Sequence, residues 1–233
     1  YASKEYAKAG DLARKLDVRL SMHPGQFTVL ASDSPDIVNR SIEEFEYHAD
    51  IIRWMGYGQQ FQDFKCNVHI SGRAGPQGIR QALPRLSPEA RNTITIENDE
   101  MSWGLEASLE LQNDVALVLD IHHHWVSSGE YILPTDDRLR RVKDSWRGVR
   151  PVIHYSYSRN EHLPADFAHD TKPNMEQLLE SGSKKQKLRA HSDYYPNPLV
   201  NQWAATFADS FDIMCESKCK NLASMKFYNE YIK

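Results

Sequence analysis

Short apolar segments alternate with longer amphipathic ones along this chain, and the alternation constrains the fold more than any other feature. Helices are expected between the apolar segments: Ser34 and Pro35 can begin one that Gly56 ends, residues 105–111 and 201–210 form others, and residues 72–78 are expected to be a loop. The apolar segments are rich in Val, Ile and Leu, as buried parallel strands are, and comprise residues 18–23, 66–71, 93–98, 115–121, 151–156 and 211–217. This repetition predicts an α/β fold with a parallel sheet.

The six predicted strands leave two architectures open. A closed (β/α)₈ barrel of the TIM type has eight parallel strands. Either two strands precede residue 1, or the sheet is open. The chain begins at Tyr1 without an initiator Met, and the sequence contains no repeat and no interdomain linker. We therefore expect one domain over residues 1–233, which is incomplete at its N-terminal end.

The composition is that of a folded protein in a reducing compartment. Hydrophobic residues make up 40 % and charged residues 26 % of the 233 residues, which excludes a disordered chain. No apolar run reaches the roughly 18–20 residues that span a membrane, so we expect no membrane association. The three cysteines, Cys66, Cys215 and Cys219, are too few for a disulfide framework.

The charge pattern does not decide whether the chain binds nucleic acid. The net charge of −4 argues weakly against such a partner, because phosphate binding uses Lys and Arg. Basic residues nevertheless crowd the segments 138–150 and 184–189. From charge alone, two solvated faces are the favoured explanation of these segments. Bound cations, which the formal charge ignores, would also change the local field.

Nearly every predicted strand ends in a residue that can bind a metal ion. The carboxyl ends of parallel barrel strands meet on one face, where active sites lie. We therefore expect four histidines and three carboxylates to converge there. In chain order they are His23, His69, Glu97, Asp120, His123, His154 and Glu216.

This convergence predicts bound metal ions. Carboxylates buried together without cations are strongly unfavourable, and divalent ions remove that penalty. The donors outnumber the roughly three or four protein ligands of one zinc site, which predicts two or more ions. Mixed imidazole and carboxylate donors suit Zn²⁺ or Mn²⁺ better than Ca²⁺. The Asp-x-x-His spacing selects Asp120 and His123, and leaves His122 and His124 to packing or to contacts behind the ligands.

Five motifs contain most of these residues and span almost the whole chain. They are Leu20-Ser21-Met22-His23-Pro24-Gly25-Gln26, Glu97-Asn98-Asp99-Glu100, Asp120-Ile121-His122-His123, Ile153-His154-Tyr155-Ser156 and Glu216-Ser217-Lys218. In sequence and order they resemble the ultraviolet damage endonucleases, which are relatives of endonuclease IV and of the xylose isomerase-like TIM barrels. The first two motifs are specific, whereas Asp-x-x-His is shared with endonuclease IV.

The resemblance implies a set of metal ligands and catalytic residues. It adds His191 to the ligands, which become His23, His69, Glu97, Asp120, His123, His154, His191 and Glu216. Glu97, Asp120 and Glu216 are expected to be catalytic through the ions that they hold. The resemblance implies two or three divalent ions, with Mn²⁺ expected first and Zn²⁺ or Mg²⁺ as alternatives. Relatives carry a Lys where this chain has Val152, and they begin with two further strands, so we expect a TIM barrel with six of its eight strands.

The implied activity is that of a DNA repair enzyme. The family nicks a phosphodiester bond 5′ to a UV photoproduct or another distorting lesion in double-stranded DNA, as a first step of DNA excision. The pair that follows His-Pro-Gly, here Gln26 and Phe27, would probe the duplex. We expect a monomer, located with the nucleoid in a bacterial cytoplasm or in the nucleus of a eukaryote.

Three other functions remain open at this point. An apurinic/apyrimidinic endonuclease of the endonuclease IV kind would use the same ligands. A xylose isomerase-like sugar isomerase or epimerase would need one or two ions and a small closed pocket. A protein that binds distorted DNA without cutting it is the third.

Overall fold

The computed structural model describes residues 2–233, in which strands and helices alternate as the sequence predicts. The strands in this range are β1 (Ser21–Met22), β2 (Lys65–His69), β3 (Ile94–Glu97), β4 (Ala116–Asp120), β5 (Val152–Tyr155) and β6 (Asp212–Cys215). The helices are α1 (Ala2–Lys15), α2 (Pro35–Trp54), α3 (Gly75–Ala82), α4 (Pro88–Thr93), α5 (Leu105–Leu109), α6 (Ile121–Ser128), α7 (Asp137–Ser145), α8 (Met175–Glu180), α9 (Lys185–Leu188), α10 (Pro198–Ala205) and α11 (Lys220–Phe227). Within residues 2–233, no helix combines the length and apolar character needed to cross a membrane.

The chain forms two compact units, and the strands within each are parallel. The first unit comprises residues 2–97, 106–117 and 144–149, and the second comprises residues 98–105, 118–143 and 150–233. In the first unit β1 pairs with β2 and β2 with β3, so that His69 lies opposite Glu97. In the second, the end of β4 pairs with β5 and β5 with β6, so that Asp120 lies opposite His154. The predicted α/β class with parallel strands is confirmed, and the single domain stays a prediction.

Each unit has its own core of strand and helix residues. In the first, Cys66 and Ile94 of the strands and Phe45 of α2 are fully buried. Burial raises the pKa of the Cys66 thiol to about 12, as expected of an unreactive core cysteine. In the second, Tyr155 of β5 and Phe207 after α10 are fully buried. The apolar character that identified the strands in the sequence therefore reflects burial.

The first predicted strand, residues 18–23, is much shorter in the structure. Residues 16–18 form the turn that ends helix α1, because the amide of Leu16 donates to the Leu12 carbonyl at 3.0 Å and that of Val18 to the Ala13 carbonyl at 2.9 Å. Val18 is accordingly exposed. The sequence pattern does not predict α1, which lies against the end of α2. A Cβ atom on Gly10 would lie 1.9 Å from the Met55 carbonyl oxygen.

Other boundaries shift for local reasons. The predicted loop 72–78 contains the start of α3, and predicted helix 105–111 ends two residues early as α5. Predicted helix 201–210 begins earlier, as α10, because the Asn197 side chain accepts a hydrogen bond from the Val200 amide at 3.0 Å and caps it. Thr93 belongs to α4 and not to the strand that follows it, and its hydroxyl donates to the Glu89 carbonyl at 3.0 Å.

Candidate metal sites

The strands place most of the predicted ligands at their carboxyl ends. β2, β3 and β4 end at His69, Glu97 and Asp120. The other predicted strand-end ligands lie within one residue of a strand end: His23 follows β1, His154 is the penultimate residue of β5, and Glu216 follows β6. The buried strands therefore fix the backbone on which these side chains stand.

In the first unit, two imidazoles flank one buried carboxylate. Oε2 of Glu97 lies 3.6 Å from Nε2 of His23 and 3.8 Å from Nε2 of His69. Glu97 is inaccessible to solvent, whereas both histidines are partly exposed. The Asn67 side-chain amide donates to Oε2 of Glu97, and the Thr95 hydroxyl donates to Oδ1 of Asn67 at 2.6 Å. The carboxylate is thus oriented from behind, as metal-binding carboxylates are.

The tautomer of His23 indicates what can lie between these side chains. Its Nδ1 is 2.8 Å from the carbonyl oxygen of Pro24, which can only accept, so Nδ1 carries the ring proton. In a neutral ring Nε2 then presents a lone pair towards Oε2 of Glu97. The 3.6 Å between these atoms is too long for a hydrogen bond. Nε2 of His23 and Oε2 of Glu97 are both electron-pair donors, and their separation is suitable for two ligands that share one cation.

In the second unit, Asp120 and residues of the next two strands form another group. Asp120, His154 and Glu216 each offer a donor atom within 4.8 Å of the others. Nδ1 of His154 is 3.2 Å from Oε1 of Glu216, and Nδ1 of His191 is 4.0 Å from Oε2 of the same carboxylate. His191 approaches from a segment that pairs with Ser158 after β5.

Asp120 also determines where His123 lies. It caps helix α6, because its Oδ1 accepts from the His123 amide at 2.7 Å. The side chain of Asn98 holds the backbone of Asp120 through hydrogen bonds of 2.8 and 3.0 Å. Nδ1 of His123 is 3.1 Å from the Asn98 carbonyl oxygen, so this ring has the same tautomer as His23. Its Nε2 lies 3.8 Å from Oδ2 of Asp120 and 3.7 Å from Oε2 of Glu100.

The neighbouring histidines are held differently. Ser158 donates to the Leu188 carbonyl at 2.6 Å, so its oxygen accepts from Nε2 of His122 at 3.1 Å, and Nδ1 of His122 accepts from Ser156 at 2.7 Å. Burial holds the pKa of His122 well below its usual value. Nε2 of His124 lies 2.9 Å from Oε2 of Glu130. Both rings therefore form hydrogen bonds within the protein, whereas Nε2 of His123 faces two carboxylates.

The predicted probing pair lies on the loop that follows His23. Pro24 is buried, and the amide of Thr28 donates to the Gly25 carbonyl at 2.9 Å, which closes a tight turn. Phe27 at the tip is 84 % exposed, and Gln26 is exposed beside it. A cavity of about 620 Å³ borders Phe27 and is lined by Arg40 and Glu44 of α2 among others. Phe27 is therefore not a core residue.

One charged residue near these groups was not selected from the sequence. Glu100 stands in the Glu97-Asn98-Asp99-Glu100 motif and is buried beside His123. Its position in the motif offered a signal, but it follows the strand end by three residues. Val152, where relatives carry a Lys, is buried in β5 opposite Asp212.

Known proteins resemble the chain over nearly its whole length. A family model described as UV-endonuclease UvdE matches residues 1–232. A UV DNA damage endonuclease of Bacillus thuringiensis subsp. konkukian (strain 97-27) is 25 % identical, over 97 % of this chain and 66 % of the relative. A UV-damage endonuclease of Neurospora crassa is 28 % identical, over 81 % of this chain and 33 % of the relative. The chain thus spans slightly less than two thirds of the length of the curated Bacillus relative.

Two solved structures share the fold. The crystal structure of SacUVDE has a TM-score of 0.74 and 26 % identity, and covers 97 % of this chain and 70 % of its own. Endonuclease IV from Thermus thermophilus has a TM-score of 0.62 and 13 % identity over 96 % of this chain and 78 % of its own, and so is similar in fold alone. Both are TIM barrels, and the predicted fold class is confirmed.

The donor sets of the two units fit divalent ions. They combine imidazole nitrogens and carboxylate oxygens, which Zn²⁺ and Mn²⁺ both accept. His23 and His123 donate Nδ1–H to backbone carbonyls, which is the usual arrangement of metal-binding histidines. Groups that could hold a divalent ion are therefore present, and the assignment of all eight predicted ligands stays a prediction.

Proposed function

Because the chain belongs to the UvdE family of UV endonucleases, we propose that it is a metal-dependent endonuclease of DNA repair. It nicks the phosphodiester backbone 5′ to UV photoproducts and other distorting lesions in double-stranded DNA. The observation that carries the proposal is the pairing of imidazole lone pairs with carboxylates at strand ends, at 3.6 Å for His23 with Glu97 and 3.8 Å for His123 with Asp120. Such pairs suit bound cations, which phosphodiester hydrolysis can use.

The proposed ligands hold two or three ions. Mn²⁺ is the first candidate because the resemblance to the family implies it, and Zn²⁺ or Mg²⁺ are alternatives; mixed imidazole and carboxylate donors accept both Mn²⁺ and Zn²⁺. When bound, divalent ions lower the pKa of water and stabilise the negative charge that develops on the phosphate and the leaving oxygen. The eight ligands are His23, His69, Glu97, Asp120, His123, His154, His191 and Glu216.

The protein's own carboxylates hold the ions in defined positions. Glu97, Asp120 and Glu216 are the proposed catalytic carboxylates, because they hold the ions in place. Glu97 is oriented by Asn67, and Asp120 by the first turn of α6. Because these partners are buried, the carboxylates need little rearrangement when substrate binds, which favours catalysis.

Gln26 and Phe27 are the proposed means of finding damage. The loop is anchored at His23 and Pro24, while its tip is exposed. A damaged or missing base unstacks at less cost than an intact pair, so distorted DNA opens more easily. Gln26 can hydrogen-bond to an exposed base edge, and Phe27 can stack on a base, a contact of about 1–3 kcal/mol. We propose that the protein acts as a monomer wherever cellular DNA lies, with the bacterial nucleoid or in a nucleus.

Cleavage of matched duplexes tests the proposal. Four 5′-labelled duplexes of one sequence would carry a cyclobutane pyrimidine dimer, a 6-4 photoproduct, an abasic site or no lesion, and would be incubated with Mn²⁺ or EDTA. We expect Mn²⁺-dependent nicks immediately 5′ to the photoproducts and intact undamaged DNA. Nicks at the abasic site alone would indicate an endonuclease of the endonuclease IV kind. Tight binding to damaged DNA without any nick in Mn²⁺, Zn²⁺ or Mg²⁺ would contradict an enzymatic role.

A further inference from the structure

We propose that Glu100 is a further metal ligand, which shares an ion with His123 and is held in position by Arg189. The inference rests on the proposed metal-dependent function. It concerns three residues of the second unit, of which only His123 is a ligand by its motif. Glu100 is a candidate because of the direction of its two carboxylate oxygens.

Glu100 lies in a hydrogen-bonded turn after β3. The amide of Asp99 donates to the Trp103 carbonyl at 2.9 Å. Oδ1 of Asp99 accepts from the amides of Met101 and Ser102 at 2.8 and 2.7 Å. The turn presents Glu100 inwards, so that only 6 % of its side chain is exposed. A carboxylate in such a place requires cationic partners, since its burial is otherwise strongly unfavourable.

The two oxygens of Glu100 have different surroundings. Oε1 accepts a hydrogen bond from Nη1 of Arg189 at 2.8 Å. Oε2 is buried, has no hydrogen-bond partner among residues 2–233, and lies 3.7 Å from Nε2 of His123. Arg189 therefore accounts for one oxygen and leaves the other directed at the imidazole.

The atom that Oε2 faces is itself an electron-pair donor. Because Nδ1 of His123 donates to the Asn98 carbonyl at 3.1 Å, Nε2 of the neutral ring carries a lone pair. A protonated Nε2 would be expected at a hydrogen-bonding distance of about 2.7–3.2 Å, which is shorter than the observed 3.7 Å. Two donors at about 2.0–2.2 Å from one ion and about 90–110° apart lie about 2.8–3.6 Å from each other. The observed separation is therefore close to that of two ligands of one ion.

Arg189 acts as a positioning residue. Its bond to Oε1 fixes the rotation of the carboxylate plane, so that Oε2 stays directed at His123. Arg189 also lies two residues before His191, a proposed ligand, in a segment that Ser158 holds through the Leu188 carbonyl at 2.6 Å. The Glu100–Arg189 pair thus connects the turn after β3 with the segment that carries His191.

Titration with Mn²⁺ alone tests the inference without reference to nuclease activity. The chain, freed of metal with EDTA, would be titrated at pH 7.5 while electron paramagnetic resonance counts free Mn²⁺. Glu100→Gln keeps the size of the side chain and an oxygen that can accept from Arg189, but removes the charge. Glu176→Gln, at an exposed position of α8, is the matched control. Thermal unfolding of each metal-free variant reports on folding.

We expect Glu100→Gln to weaken one Mn²⁺ site by about tenfold or more and to leave the other sites and the metal-free unfolding temperature unchanged. Arg189→Gln should weaken the same site to a smaller extent. An isotherm of Glu100→Gln that superimposes on the wild-type isotherm would overturn the inference and leave the proposed function standing. Equal weakening of all sites, with a lower unfolding temperature, would overturn it in favour of a structural role. A wild-type chain that binds neither Mn²⁺ nor Zn²⁺ would overturn the proposed function as well.

Discussion

The Nδ1 atom of His23 lies 2.8 Å from the carbonyl oxygen of Pro24, the next residue in the chain. This contact fixes the imidazole ring relative to the start of the loop that carries Gln26 and Phe27. A proposed metal ligand and a proposed DNA probe therefore share one short piece of backbone. Changes at the ligand and at the loop tip can be tested separately, because the first is directed at Glu97 and the second is exposed.

Replacement of Glu97 should remove an ion and the nuclease activity together. Its Oε2 lies 3.6 and 3.8 Å from the two imidazoles of the first unit, and Glu97→Gln removes the charge that an ion between them requires. We expect a loss of at least one equivalent of metal by elemental analysis and no detectable nicking. Glu43→Gln, at an exposed position of α2, is the control. Unchanged metal content in Glu97→Gln would contradict the assignment.

Replacement of Ser158 should loosen the segment that carries His191. Ser158→Ala leaves the N–H of His122 and the carbonyl of Leu188 without their buried partner. Each buried polar group that loses its partner lowers the free energy of unfolding by about 1–3 kcal/mol. We expect a lower free energy of unfolding in urea and faster amide exchange at residues 188–192. Ser181→Ala, at an exposed position, should have little effect on either measurement. Unchanged exchange at residues 188–192 would mean that other contacts hold the segment.

The sequence predicts the strands well where apolar runs are bounded by polar residues. β4 and β5 lie within their predicted limits, β2 begins one residue earlier than predicted, and the metal-capable residues lie at the ends of the strands as expected. The prediction of a loop at residues 72–78 was wrong for α3 because Gly75 and Gly78 disfavour a helix locally, whereas Pro76 lies in the first turn, where proline is tolerated. Gly78 packs closely against Ala31, whose Cα would lie 2.8 Å from a Cβ atom at that position, so this contact requires glycine within the helix.

Contacts between distant segments explain what the sequence could not predict about the site. Glu100 and Arg189 are separated by 89 residues, and neither stands at a strand end. A search for ligands at the carboxyl ends of strands therefore does not select Glu100, although it stands in a motif. Similarly, the two ring nitrogens of His122 form hydrogen bonds with the hydroxyls of Ser156 and Ser158, which lie in the loop that follows β5. These contacts, together with the cap that Asp120 provides, determine that His123 is the one of three consecutive histidines that directs Nε2 at Asp120 and Glu100.

The ion pair of Asp136 and Arg138 should make stability depend on pH in the acid range. The hydrogen bond from Arg138 lowers the pKa of Asp136 to about 2, from an ordinary value of 3.8. Because the folded state favours the charged form, this contribution is present above about pH 4 and is lost as the pH falls towards 2. Asp136→Asn should lower the free energy of unfolding by about 1 kcal/mol at pH 7. The value is modest because water screens the ion pair. The urea midpoints of the variant and the wild type should converge between pH 4 and 2, whereas a gap of constant size would contradict the role of the charge. Asp137→Asn, at an exposed neighbour, is the control.

Replacement of Phe27 should separate damage recognition from folding. Phe27 is 84 % exposed, so Phe27→Ala removes little buried surface and should leave the unfolding temperature and metal content nearly unchanged. Loss of a stacking contact of about 1–3 kcal/mol should weaken binding to a dimer-containing duplex by about fivefold to over a hundredfold. Fluorescence anisotropy with damaged and undamaged duplexes would measure both affinities.

The ratio of the two affinities decides the role of Phe27. If the ring stacks on DNA only where a base pair has opened, Phe27→Ala should lower the affinity for damaged duplex and leave that for undamaged duplex unchanged. Tyr47→Ala removes another exposed aromatic ring, on α2, and should change neither affinity. A general loss of affinity for both duplexes would indicate a contact with the DNA backbone or groove in place of a probe. Preserved preference for damage in Phe27→Ala would assign recognition to other residues, because Phe27 would then be dispensable for discrimination.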